Sequence, residues 1–109
     1  MKKIEEKMIQ AIINGKNFKQ SNTEVKVFDK HIDVLLHGNR IAHIDTTKKP
    51  YKMTVDNCGW YSVTTKSRLN ALGCRIVQHN WCWYNKVEED VFTDFMNGQQ
   101  VDFLGGKIF

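Results

Sequence analysis

Thr64-Thr65-Lys66-Ser67-Arg68 brings three hydroxyls and two cations together in consecutive positions. At the start of a helix such a set suits a phosphate or carboxylate, because the first helical amides lack internal partners and the macrodipole is positive there. A cap at Thr64 or Thr65 would leave the amides of Lys66, Ser67 and Arg68 facing outward. No Glu or Gln stands three residues after either threonine to occupy them in a capping box. Basic residues in a first turn also oppose the usual dipole preference, and a local rule broken in this way marks a candidate site. The competing reading, and the commoner one for so short a motif, is a Thr-capped surface helix with Lys66 and Arg68 solvated.

Trp60, Tyr61, Trp81, Trp83 and Tyr84 are interleaved with Lys66, Arg68 and Arg75. Single-stranded nucleic-acid sites combine a basic groove with stacking rings worth about 1–3 kcal/mol per base. The candidate nucleic-acid or anion-binding set is therefore Thr64, Thr65, Lys66, Ser67, Arg68, Arg75, Trp60, Trp81 and Trp83. In a strand, Trp81 and Trp83 share one face and Cys82 and Tyr84 the other, so one pair packs while the other is open. Packing inside is the usual fate of aromatics in a small domain.

Cys58, Cys74, His79 and Cys82 contain only one close pair, His79-x-x-Cys82, and lack the C-x₂₋₄-C knuckle of a structural zinc site. No metal and no cofactor is expected. Nothing pairs a cysteine with His31, His37, His43 or His79 as nucleophile and base, so no catalytic residue is assigned and a non-enzymatic protein is expected. Three cysteines without a CxxC pair point to free thiols and no disulfide.

The elements that would carry these residues are legible from periodicity. Ile4, Met8, Ala11 and Ile12 recur at helical spacing up to the stop Asn14-Gly15. Residues 23–28, 32–36, 40–44 and 51–55 are β-biased. The turn Gly38-Asn39 would close a hairpin, but direct pairing across it sets Ile32 beside Asp45, so a bulge or a longer turn is expected. Trp60-Tyr61-Ser62-Val63 reads as strand-like, then a helix runs over 64–72 with Gly73 as its C-terminal glycine. Strands follow at 74–78 and 81–84 around His79-Asn80. Glu88-Glu89-Asp90, with Val87, Val91 and Phe95 and with Phe92 and Met96 at i, i+4 spacing, predicts a C-terminal helix stopped by Asn97-Gly98. A last strand covers 101–103, before Gly105-Gly106 and an apolar end at Ile108-Phe109. The fold expected is α+β: an antiparallel sheet of about five or six strands with an N-terminal, a short central and a C-terminal helix, in a single domain over 1–109.

Hydrophobic residues at 41%, with one proline and seven glycines, support a core and exclude low-complexity disorder. Met1-Lys2-Lys3-Ile4-Glu5-Glu6-Lys7 lacks an apolar signal-peptide region, and no run approaches the roughly 18 apolar residues of a membrane span. A cytoplasmic protein with no membrane partner is expected. The net charge of +4 is unevenly spread. Residues 46–86 hold seven basic groups against Asp56 alone, a net +6, whereas Glu88, Glu89, Asp90, Asp94 and Asp102 outweigh Lys107 in residues 87–109, a net −4. A basic middle suits an anionic partner and an acidic end suits a basic one.

Asn17-Phe18, Asn22-Thr23, Leu36-His37-Gly38-Asn39-Arg40-Ile41-Ala42, the run from Gly59 to Leu72 and Val77-Gln78 resemble small accessory proteins of tailed bacteriophages. The resemblance covers about residues 11–80, with Thr64-Thr65-Lys66-Ser67-Arg68-Leu69-Asn70 as its most specific part. It implies a protein that acts in the host cytoplasm by stoichiometric binding to a host protein or ribonucleoprotein complex, to a host defence system or to nucleic acid. The function expected is inhibition or redirection of such a complex, for example a defence nuclease in the manner of an anti-CRISPR. Glu88, Glu89, Asp90 and Asp94 would be the partner-binding residues that imitate nucleic-acid charge. The alternative is a direct DNA- or RNA-binding module built on the basic helix start and the tryptophans.

Overall fold

A computed structural model describes residues 1–107; the apolar end expected at Ile108-Phe109 lies outside the described residues. Helix α1 (Lys3–Asn14) leads into strands β1 (Phe18–Gln20), β2 (Thr23–Val27), β3 (His31–Leu36), β4 (Asn39–Asp45) and β5 (Lys52–Val55). Helix α2 (Val63–Leu72) follows, then β6 (Ile76–His79), β7 (Cys82–Glu88), β8 (Val91–Asp94), β9 (Gln99–Asp102) and a 3₁₀ turn over Phe103–Gly106. Six strands form one antiparallel sheet in the order β1-β2-β3-β4-β5-β9, and β6-β7-β8 form a second.

Alternation sets the faces of the large sheet. Ile32, Val34 and Leu36 of β3 are buried while His31, Asp33 and Leu35 between them are half-buried, as a strand with one core face requires. The buried residues join Val25, Ile44, Met53 and Val55 with Met8 and Ile12 of α1 and Leu69 and Leu72 of α2 in one core. β3 and β4 turn at His37 and Gly38, whose φ values are 51° and 78°, one residue earlier than expected. The anticipated bulge is present: Leu35 pairs with Arg40 and Val34 with Ala42, so Ile41 is the extra residue, and Ile32 faces Ile44 rather than Asp45.

The C-terminal helix expected around Glu88-Glu89-Asp90 does not form. β7 runs on to Glu88, the chain reverses with Asp90 at φ 59°, and Val91-Phe92-Thr93-Asp94 pairs back onto Tyr84-Asn85-Lys86 as β8. Only α1 and α2 are α-helices among the described residues. Val87, Val91 and Phe92 sit at helical spacing by coincidence, since no core surface is there to receive a stripe: all three are exposed. Without burial to reward a helix, the β preference of Val, Phe and Thr decides. Trp60-Tyr61, read as strand-like, is irregular chain leading into α2.

Gly73 ends α2 at φ 126°, and its amide donates to the Asn70 carbonyl. A Cβ there would lie 2.7 Å from the Leu104 nitrogen and 2.9 Å from the Asp102 carbonyl oxygen. This glycine therefore both terminates the helix and lets the 3₁₀ turn, with its fully buried Phe103, seat against it.

Candidate partner-binding surface

The cap of α2 is Ser62, not Thr64 or Thr65. The Ser62 hydroxyl accepts from the Thr65 amide at 3.1 Å and lies 2.8 Å from the Thr65 hydroxyl, and the Lys66 amide donates to the Ser62 carbonyl. The amides of Thr65 and Lys66 are thus used internally, and Thr65 is buried.

The basic oddity of this helix has an internal explanation. Arg68 is 5% exposed; its Nη1 donates to Glu5 Oε2 at 2.7 Å and its Nε to the Thr23 hydroxyl at 3.0 Å. Ser67 donates to the same Glu5 oxygen. Burial pushes the Glu5 carboxyl up, but the hydrogen bonds from Ser67, Arg68 and the Lys2 amide, with the charge of Arg68, outweigh it and hold the group below its usual range. Arg68 and Ser67 thus tie α2 to α1 and β2. Lys66 is half-buried, and Arg75 is exposed, with its Nη1 3.4 Å from the Val87 carbonyl.

Two clefts flank the chain between Gly59 and Ser62. One, of about 430 Å³, brings Trp60, Thr64 and Thr65 together with Ile41, Asn57 and Cys58. Asn57 is buried, and its Nδ2 has no hydrogen-bond partner. The other, of about 440 Å³, is aromatic: Tyr61, Trp81, Trp83, Tyr84 and Phe95 line it with Asp94 and Met96. Trp83 forms its floor, buried edge-on between Tyr61 and Phe95 at 5.3 and 5.2 Å between ring centroids, and its indole N–H has no partner. The period-2 argument for Trp81 and Trp83 fails at the turn: Trp81 is itself a turn residue at φ 67° and is 87% exposed, whereas Trp83 is in the core. Left-handed backbone is uncommon for a bulky aromatic and costs about 1–2 kcal/mol.

The second sheet carries the acidic residues. Glu88 ends β7 and Glu89 and Asp90 make the exposed turn into β8, with Lys86 Nζ 3.6 Å from Glu89, and Asp94 lies at the other end of β8 beside the aromatic cleft. All four residues of β8 are exposed, and β8 pairs only with β7, so its outer backbone edge is open. Exposed apolar Val91, Phe92 and Met96 lie on this same segment. The sequence reading assigned 87–96 to a helix and so missed the open edge; the run Val91-Phe92-Thr93 was the available signal.

The thiols of Cys58, Cys74 and Cys82 are free, and burial pushes Cys74 up to about 12. They do not meet one another or His79 in a ligand cluster. Among the described residues, the one grouping of metal-ligand type is His31, Asp33 and His43, which the sequence reading did not single out. No helix of the described residues is long and apolar enough to cross a membrane.

No curated protein and no solved structure matches this chain. A family model described as Kyanoviridae Gp96 protein matches residues 1–102, a span that takes in the acidic hairpin left outside the resemblance over about 11–80. It bears out the phage class, although not a family defined by the Thr-Thr-Lys-Ser-Arg-Leu-Asn run. The chain belongs to the Kyanoviridae Gp96 protein family of small phage proteins.

Proposed function

We propose that this phage accessory protein is a non-enzymatic binder that docks on a basic surface of a host protein or ribonucleoprotein complex and inhibits or redirects it. The observation that carries this reading is β8: an edge strand exposed on both faces, bearing Val91 and Phe92, next to an acidic turn. Soluble proteins usually blunt such edges with lysine, proline or a cover, because an open edge recruits another strand. Here the edge is apolar, the adjoining cleft is aromatic, and Glu88, Glu89, Asp90 and Asp94 supply a field that attracts a basic partner. Trp81, held in a costly backbone conformation with its ring in solvent, and the unpartnered N–H of Trp83 both suit a surface completed by another molecule. The acidic turn fits a partner that normally handles nucleic acid, such as a defence nuclease.

Affinity capture from host lysate under nuclease treatment tests this. The wild-type chain should retain one host protein at near-stoichiometric ratio, and Phe92→Ser or charge reversal at Glu88, Glu89 and Asp90 should release it. Retention unchanged by both variants would overturn the reading. Direct nucleic-acid binding retains one argument, the exposed rings of Trp60 and Trp81. It requires binding to DNA or RNA at low salt that weakens steeply as salt rises.

A further inference from the structure

The outer face of the large sheet, away from the helices, holds a cluster of different chemistry. Asp33 and His43 are cross-strand partners in β3 and β4, and His31 precedes Asp33 by two, so strand alternation sets all three on that face. His43 Nδ1 lies 2.9 Å from Asp33 Oδ1, and His31 Nε2 lies 3.8 Å from Asp33 Oδ2. The candidate ligand atoms of the three residues all fall within 4.8 Å of one another. Phe28 stacks on the His31 ring at 4.6 Å and 17°, and the His31 and His43 ring centroids also lie 4.6 Å apart.

We infer that His31, Asp33 and His43 form a binding site for a divalent transition metal of the zinc class. Bonds of about 2.0–2.2 Å to nitrogen and oxygen place neighbouring donor atoms roughly 3–3.5 Å apart. Asp33 Oδ1 and His43 Nδ1, hydrogen-bonded at 2.9 Å, open slightly to that spacing when an ion replaces the proton between them, and His31, at 3.8 Å, closes to it by a side-chain rotation. Two imidazoles with one carboxylate select Zn²⁺, Co²⁺ or Ni²⁺ over Mg²⁺ and Ca²⁺, which prefer all-oxygen shells. The donors stand on two adjacent hydrogen-bonded strands rather than on a loop, so the backbone holds them in place before the ion arrives. Three protein ligands on a solvent-facing sheet leave a coordination position open for water or an added ligand.

Two cations oppose the site. Arg40 Nη1 is 3.7 Å from Asp33 Oδ2, and Lys26 is the residue opposite Asp33 on β2. Arg40 is more than half exposed and Lys26 is exposed, so both side chains can turn to solvent when the ion binds. Asp45, opposite His31, offsets them in part, although its carboxylate is engaged by Thr47 and lies 4.0 Å from Lys48.

The test is titration of the chelator-stripped full chain with Co²⁺, read by visible d–d absorption, and with Zn²⁺, read by calorimetry. A Cys82→Ser background removes the one exposed thiol. One equivalent should bind, Zn²⁺ should displace Co²⁺, and Mg²⁺ or Ca²⁺ should not. Asp33→Ala and His43→Ala should each weaken binding by at least about tenfold, whereas His37→Ala and His79→Ala should leave it unchanged. Should an alanine variant fail to fold, His31→Gln and Asp33→Asn take its place, with circular dichroism as the check on folding. Binding equally strong in the triad variants, or no one-to-one binding by the wild-type chain below about 1 mM, about −4 kcal/mol of affinity, would overturn the site.

Discussion

Arg68 and Glu5, 63 positions apart in the chain, meet at 2.7 Å between Nη1 and Oε2 with both side chains almost closed to solvent. The pair joins the two helices over the strand that carries Thr23. Removing one partner leaves the other buried without its counter-charge, which costs about 3–5 kcal/mol. Arg68→Ala and Glu5→Ala should therefore each lower unfolding free energy by about that amount, and the double variant by much less than the sum. Lys66→Ala should stay within about 0.5 kcal/mol. Urea unfolding of the four variants and the wild type checks this; an Arg68→Ala variant as stable as wild type would contradict the structural role.

The same pair sets an acid limb. The folded state holds the Glu5 carboxyl below its ordinary value of 4.5, so it favours the ionised form. Its stabilisation is fully present above about pH 4.5 and is lost as pH falls through the lowered folded value. Glu5→Gln should be less stable than wild type at neutral pH and show a shallower decline toward pH ~3. Parallel stability profiles of the two proteins would contradict the linkage.

What was legible in the sequence followed from periodicity and burial. Strands β2 to β5 and β9 and helix α1 were readable because each repays an apolar pattern with core contact, and α2 was placed by Gly73 at its end rather than by an apolar stripe. The β3–β4 bulge was foreshadowed by the mismatch of Ile32 with Asp45. The three-residue edge strand β1, with only Phe18 packed inward, was not read. Nor was the β7–β8 hairpin, because Val87, Val91 and Phe95 also fit a helix and the sequence does not say that only Phe95 of the three meets the core. Arg68 was misread because its partner lies in the first turn of the other helix. A basic residue awaiting a ligand and one already paired at long range look alike in one dimension. The His31, Asp33, His43 group was hidden for the same reason: the i, i+2 relation is visible along β3, but His43 joins it only through the bulged register.

Gly73 offers a local test of packing. A methyl there meets the backbone of Asp102 and Leu104, which cannot yield as a side chain tip would. Gly73→Ala should cost about 1–3 kcal/mol, whereas the same replacement at a glycine whose backbone suits alanine stabilises by about 0.4–1 kcal/mol. It should also loosen the turn that seats Phe103, visible as faster amide exchange at 103–106. A neutral substitution would contradict the close approach.

Trp81 and Trp83 should separate stability from binding. Trp83→Ala empties a packed aromatic site and should cost about 3–5 kcal/mol. Trp81→Gly relieves a left-handed backbone and should raise stability by about 1 kcal/mol while weakening capture of the host partner. Thermal melts with parallel capture assays read both; a Trp81→Gly protein that is less stable but binds normally would reverse the assignment.

The proposed docking surface is the β7–β8 hairpin and the aromatic cleft beside it, with the start of α2 serving the fold. Hydrogen–deuterium exchange of the captured complex against the free chain measures this directly. New protection should concentrate in residues 81–96, with 62–68 unchanged. Protection centred on 60–68 with an unprotected hairpin would contradict it.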